Sequence, residues 1–214
     1  MPERTIIHVG LGKTGSTFLQ KGVVPYLHER KLLYNDTTVL QSLSTAYYKH
    51  KLDSRSNYKI RKKDLGLTEN PIRFISAENI IGWNPKDFKR ALKAAKIYLP
   101  EDSEILITMR EPRQWLRSLY LHAVSRCSIC MNPKHFFLKK EQMAKHLQFF
   151  GEISENLSIS VDDLRYKKIE KQWKSNFSKV HILPMESILN MEFLKKIDIP
   201  HSSDHLEELG RIKS

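Results

Sequence analysis

Apolar residues fall along this chain in two rhythms. Apolar-rich stretches of strand length occur at Ile6, Ile7 and Val9, at Ile72–Ser76 (IRFIS), at Ile105–Met109 (ILITM, a continuous run) and at Val180–Leu183 (VHIL). Lys31–Tyr34 (KLLY) reads as a further short strand. Continuous apolar runs fit strands buried on both faces of a parallel sheet. Between them apolar residues recur every three or four positions, the spacing of a helix with one buried face. Such a helix begins over Ser16–Gln20, and another runs from about Pro85 to Tyr98 with Phe88, Leu92 and Ala95 on one stripe. A third follows Pro112, with Trp115, Leu116, Leu119, Ala123 and Val124. Lys134–Phe150 carries Phe136, Met143, Leu147 and Phe150 at helical spacing. Ser160 and Asp163 read as a capping box opening a helix that buries Tyr166, Ile169, Trp173 and Phe177, and Glu186–Ile197 is the last helix of the series. Residues 41–63, polar and mixed, are weakly patterned and read as helix with loops. Strands alternating with helices predict an α/β fold, with a parallel β-sheet flanked by helices on both faces. The 214 residues suit a single domain, 1–214.

Composition narrows the class. Forty per cent apolar and 28% charged residues describe a globular chain, and no run of about 18 apolar residues offers a membrane span. MPERTII enters the first strand directly, without a charged-then-apolar leader, so neither secretion nor a transmembrane segment is expected. Two cysteines exclude a disulfide scaffold and point to a reducing, cytoplasmic setting. The 36 Lys and Arg against 24 Asp and Glu leave a formal charge of +12. That excess calls for an anionic partner: nucleic acid, an anionic membrane surface, an acidic glycan or a polyanionic nucleotide. The basic stretch 41–63 is either a lip over an acceptor site or a solvated face.

The densest chemistry lies at residues 6–20, IIHVGLGKTGSTFLQ. A short strand breaks at Gly10, Gly12 and Gly15, and a helix starts at Ser16. Strand, glycine-rich turn and helix start together form an anion cradle, where backbone N–H groups converge on the positive end of the helix dipole. Lys13 adds a cation, and Thr14, Ser16 and Thr17 add hydroxyls. An ATP-binding loop has the spacing G-x-x-x-x-G-K-[ST]. Here its first glycine would fall at Ile7, inside the strand, and Gly15 follows the lysine. KTGST at Lys13–Thr17 instead resembles the 5′-phosphosulfate loop of the sulfotransferases that use 3′-phosphoadenosine 5′-phosphosulfate (PAPS). A second stretch agrees. The ILITM run ends in Arg110, Glu111 and Pro112, and Ser118 follows eight residues after Arg110. Triphosphatases place a magnesium-binding carboxylate at such a strand end, whereas arginine there suits bidentate phosphate contact. The order looks like the 3′-phosphate motif of the same family.

The resemblance implies a P-loop NTPase-like sulfotransferase fold, PAPS as co-substrate and adenosine 3′,5′-bisphosphate as product. It implies that Lys13 neutralises the leaving oxygen, that Thr14, Gly15, Ser16 and Thr17 hold the 5′-phosphate, and that Arg110 and Ser118 hold the 3′-phosphate, with no metal. ISAEN at 75–79 is similar to the stretch carrying the glutamate base in carbohydrate-type and bacterial members, so Glu78 is the candidate base. His122, four residues after Ser118 on one helix face, is the runner-up. His8, inside the first strand, reads as a satisfied core histidine. A Glu-type base and a basic surface favour a carbohydrate acceptor over nucleic acid. VHILPMESIL also resembles a late family segment. Two departures stand out: Gly12 replaces a frequent proline, and the chain ends at GRIKS with a short or absent 3′-phosphate loop, for which Arg211 or Lys213 are stand-ins. His122, Cys127, Cys130 and His135 have the ligand types of a structural zinc site, a redox pair and two plain thiols being the other readings. The functional rivals are a non-catalytic polyanion binder and an ATP-dependent small-molecule kinase.

Overall fold

The computed structural model describes residues 4–11, 13–35, 69–77, 80, 81, 85, 88–127, 133–138, 159–161 and 164–212. Of Arg90, Arg126, Cys127, His135, Leu138, Ser160 and 209–212 it describes the backbone alone. Seven strands are present among these residues: β1 (Arg4–His8), β2 (Tyr34–Asn35), β3 (Ile72–Ser76), β4 (Glu104–Met109), β5 (Phe137–Leu138), β6 (Ile159–Ser160) and β7 (Lys179–Pro184). Five of them form one sheet in the order β2-β3-β1-β4-β7, and every pair in it is parallel. β5 and β6 pair separately. The helices are α1 (16–29), α2 (Phe88–Tyr98), α3 (Pro112–Cys127), α4 (Pro133–Phe136), α5 (Tyr166–Lys174), α6 (Met185–Leu189), α7 (Glu192–Lys196) and α8 (Ser203–Ile212). None of the described helices is long and apolar enough to cross a membrane.

Side-chain alternation divides each strand between two apolar layers. Ile7, Ile75, Ile105 and Ile107 face a layer made with Phe88, Leu92 and Ala95 of α2, Trp115 and Leu119 of α3, and Ile169 and Trp173 of α5. Ile6, Phe74 and Leu106 face the opposite layer, made with Leu19, Val23 and Leu27 of α1, Ile188 of α6 and Phe193 and Leu194 of α7. The sheet has an apolar layer on each face, and β3 and β4 are buried along their whole length.

Several helical expectations are corrected. Val124 is exposed rather than part of the buried stripe of α3, as is its neighbour Leu121. The helix expected over 134–150 stops at Phe136 and gives way to β5; residues beyond Leu138 in that stretch lie outside the described ones. Ser160 belongs to β6, and α5 starts only at Tyr166, after Arg165 and with no side-chain cap; Asp163 and the Ser160 side chain lie outside the described residues. The single helix over Glu186–Ile197 is two. Met191 adopts a left-handed conformation at φ 64°, and the Asn190 side chain takes the Glu192 N–H at 3.2 Å. That side-chain acceptor competes with continuation of the helix. The KLLY strand shortens to Tyr34–Asn35 because α1 ends in a Schellman turn. Lys31 stands at φ 58°, Leu32 N–H donates to Leu27 O at 2.9 Å and Lys31 N–H to His28 O at 3.0 Å. Within α1, Leu19–Val23 widens to a π turn just before Pro25, whose missing N–H leaves a carbonyl of the preceding turn without its usual partner.

The entry end of the sheet is tied by charge. Glu104, almost fully buried, accepts two bonds from Arg4 at 2.7 and 2.8 Å, and meets Lys179 at 3.0 Å and His181 at 3.3 Å. Burial alone would raise its pKa, but the bonds from Arg4, Lys179 and His181 outweigh that and bring it down to about 2. The carboxylate therefore stabilises the fold fully above its ordinary pKa of 4.5, and this contribution is lost as pH falls toward 2. Glu104→Gln leaves two cationic partners, Arg4 and Lys179, on a neutral amide, and is expected to cost about 2 kcal/mol at pH 7, because Lys179 and Arg4 keep some solvent. Urea unfolding at pH 7 and at pH 3 checks this: the gap between wild type and variant should be full at pH 7 and reduced at pH 3.

Candidate active site

The chain turns left across the sheet after β1, to β2, and right after β4, to β7. The helices that follow lie on opposite faces, α1 in one apolar layer and α3 in the other. This divergence opens a crevice beyond the carboxyl ends of β1 and β4, the place where open parallel sheets bind ligands. Lys13 follows β1 and Arg110 follows β4. Their strands are adjacent, with Val9 N–H on Leu106 O at 2.9 Å and Leu11 N–H on Thr108 O at 3.4 Å. The fold thus brings the two cationic motifs, separated by nearly 100 residues of chain, to neighbouring strand ends.

The loop between β1 and α1 is built on a buried polar network. His8 Nδ1 lies 2.8 Å from Ser76 Oγ, and His8 Nε2 lies 2.9 Å from Thr108 Oγ1. Thr108 Oγ1 is 2.8 Å from Thr14 Oγ1, and the Thr14 hydroxyl donates to Leu11 O. Gln20 Nε2 donates to Ser76 Oγ at 3.0 Å. His8, Thr14, Ser76 and Thr108 are all buried. Burial pushes the His8 pKa down to about 3, so the ring is neutral at physiological pH. Gly10 has to be glycine here, since a Cβ would stand 2.2 Å from Thr108 Oγ1 and 2.4 Å from His8 Nε2. Gly15 sits at φ 83° and precedes the helix without any side-chain cap. The first helical bond runs from Leu19 N–H to Gly15 O, at 3.0 Å, so the first turn of the helix begins at the loop. Lys13 holds the left-handed conformation at φ 69° and is half-buried. A non-glycine residue at such φ costs on the order of 1 kcal/mol, which the pinned loop sustains. Thr17 is exposed, Ser16 buried. The Thr14 hydroxyl is turned into the sheet, donating to Leu11 O and meeting Thr108 Oγ1.

At the second strand end, the Arg110 carbonyl accepts the Tyr166 hydroxyl at 2.6 Å, which ties α5 to this corner. Burial raises the Tyr166 pKa to about 12, keeping it a donor. Arg110 Nε reaches Gln114 Oε1 only at 3.4 Å, a long contact that a bound anion could displace. Glu111 caps α3, accepting Gln114 N–H at 2.8 Å and Arg113 N–H at 3.1 Å, bonds that lower its pKa. Pro112 takes the first helical position, as expected. Ser118 and His122 are both half-buried on α3. At about 1.5 Å rise per residue, His122 lies roughly 15 Å along the axis from Pro112.

No protein-family model matches the chain, and no curated protein matches its sequence. Solved structures do match. A sulfotransferase from Alicyclobacillus acidocaldarius aligns over 100% of this chain and 91% of its own, at 14% identity and a TM-score of 0.57. The chain has the sulfotransferase fold. A mouse sulfotransferase, SULT7A1, complexed with PAP, aligns over 100% of this chain and 65% of its own, at 13% identity and a TM-score of 0.48.

Within this sulfotransferase fold, the remaining candidates divide by what the structure describes. Glu78 and Gly12 lie outside the described residues, as do Lys213, the basic stretch 41–63 and Cys130; the side chains of Cys127, His135 and Arg211 do too. Glu78 follows β3 by two residues, and β3 borders β1 on the side away from β4. Among the described residues no group of three or more His, Cys, Asp or Glu could hold a metal ion. Sequence reasoning placed His8 in the core but missed what it joins. The signal was present: IRFIS and ILITM each carry one hydroxyl residue, Ser76 or Thr108, near the end of an apolar run. α8 was missed as well, although Ser202 and His205 cap its start reciprocally at 3.2 and 3.4 Å.

Proposed function

We propose that this chain is a PAPS-dependent sulfotransferase that moves a sulfuryl group to an acceptor hydroxyl on a carbohydrate. One observation carries the reading: Lys13 and Arg110 follow adjacent strands across the topological switch, with a guanidinium where triphosphatases need a magnesium carboxylate. Two cations at that crevice suit a ligand with phosphate at both ends of one nucleoside.

The chemistry then follows from position. Sulfuryl transfer, like phosphoryl transfer, asks the protein for alignment and charge stabilisation more than for covalent steps. Lys13 neutralises charge on the bridging oxygen as the nucleotide leaves. The amides of Thr14, Gly15, Ser16 and Thr17, with the Thr17 hydroxyl, hold the 5′-phosphate. Arg110 and Ser118 hold the 3′-phosphate, the group that distinguishes this donor from ATP. Glu78, after the strand beside β1, removes the acceptor proton; His122 is the less favoured base, being well along α3. The Glu-type base supports a carbohydrate acceptor, and the +12 charge suits an acidic glycan.

Titration calorimetry with adenosine 3′,5′-bisphosphate and, separately, with ADP and magnesium tests this. Micromolar binding of the bisphosphate alone is expected. Preference for magnesium–ADP would support the kinase reading, and binding of neither would favour a polyanion binder.

A further inference from the structure

We infer that His8 is a positioning residue: its ring, with the proton on Nε2, anchors a one-way chain of hydrogen bonds that fixes the 10–15 loop. The inference rests on reading that loop as the phosphate cradle, and its geometry comes from donor counting.

Thr14 has one hydroxyl proton, and Leu11 O, a pure acceptor, takes it. The Thr14–Thr108 contact at 2.8 Å must then use the Thr108 proton. Thr108 has no second proton, so its contact with His8 Nε2 at 2.9 Å requires Nε2 to donate. A neutral imidazole protonated at Nε2 is an acceptor at Nδ1. Ser76 Oγ, 2.8 Å away, donates to it and in turn accepts from Gln20 Nε2 at 3.0 Å. The order is therefore Gln20, Ser76, His8, Thr108, Thr14, Leu11, each group donating to the next. It joins α1, β3, β1, β4 and the loop, and reversing any hydroxyl leaves a buried polar atom unpaired. Neutrality of the ring, favoured by its burial, is what lets it accept on one side and donate on the other.

Nitrogen-15 NMR of histidine-labelled free protein between pH 5 and 8 tests the assignment directly. His8 is expected to show a protonated Nε2, a bare Nδ1 and no titration. A proton on Nδ1, or a ring that titrates in this range, would overturn the inference. Thr108→Val keeps the shape of the side chain and removes the middle link. Amide exchange at residues 13–16 is expected to quicken at least tenfold in this variant, relative to the Ile105 and Leu106 amides; unchanged exchange would sink the positioning role. Both readings use the free protein, so they stand apart from whether nucleotide binds. Calorimetry on wild type and Thr108→Val completes the test. Wild type that fails to bind adenosine 3′,5′-bisphosphate overturns the functional reading and leaves the network intact. Wild type that binds, with Thr108→Val binding equally well, overturns the positioning role; a Kd raised about tenfold supports it.

Discussion

Lys13→Met is expected to lower kcat for sulfuryl transfer by about 10³, close to 4 kcal/mol of barrier. The methionine fills a similar volume and has the same backbone requirement at φ 69° as lysine, so the loop conformation is preserved. What disappears is the one cation within the loop that can meet charge developing on the leaving oxygen. That charge is largest in the transition state, so binding of the bisphosphate product should weaken far less than turnover. Transfer of labelled sulfuryl under saturating donor, together with calorimetry on the same variant, separates the two. A kcat within tenfold of wild type would remove Lys13 from the chemistry, and an equal loss in both measurements would make it a binding residue only.

Gly10→Ala is expected to be the most damaging single methyl in the described part of the chain. The new carbon would sit 2.2 Å from Thr108 Oγ1 and 2.4 Å from His8 Nε2. Neither neighbour can give way, because each is buried and bonded on both sides. Relief requires parting β1 from β4 or breaking the hydrogen-bond chain, and buried polar atoms left unpaired cost about 1–3 kcal/mol each. With overpacking added, the loss should reach about 3 kcal/mol or more. For a chain of this size that corresponds to a fall in Tm of roughly 6–12 °C, read by calorimetry. A fall of under 2 °C would show that the corner between β1 and β4 is far more yielding than its contacts indicate.

Strands were the most legible part of this sequence. IRFIS coincides with β3, ILITM lacks only the first residue of β4, and VHIL lacks one residue at each end of β7. β3 and β4 are buried along their whole length, and such strands leave an apolar-rich signature that competing local effects do not blur. Helix boundaries were less legible because they turn on single backbone choices. Left-handed Lys31 and Met191 are non-glycine residues at positions where glycine would have announced the break. The two loops proposed to hold phosphate each stand out as a contiguous stretch of the chain, and the parallel sheet sets them at neighbouring strand ends. The His8 network was not, since its partners lie 68 and 100 residues further on and each looks unremarkable in its own segment.

The central place of β1 bears on how the chain comes to fold at all. The strand made first in this sheet has both its neighbours, β3 and β4, still to be made, and its last cross-strand bonds await residues 100 positions downstream. At ribosomal speeds of about 5–20 residues per second, it waits roughly 3–13 s with two open edges until β3 is made, and roughly 5–20 s until β4 can close the second. During that interval Ile6, Ile7 and Val9 are sticky and unshielded, so nascent protein should be an avid client for holdase chaperones until β4 emerges.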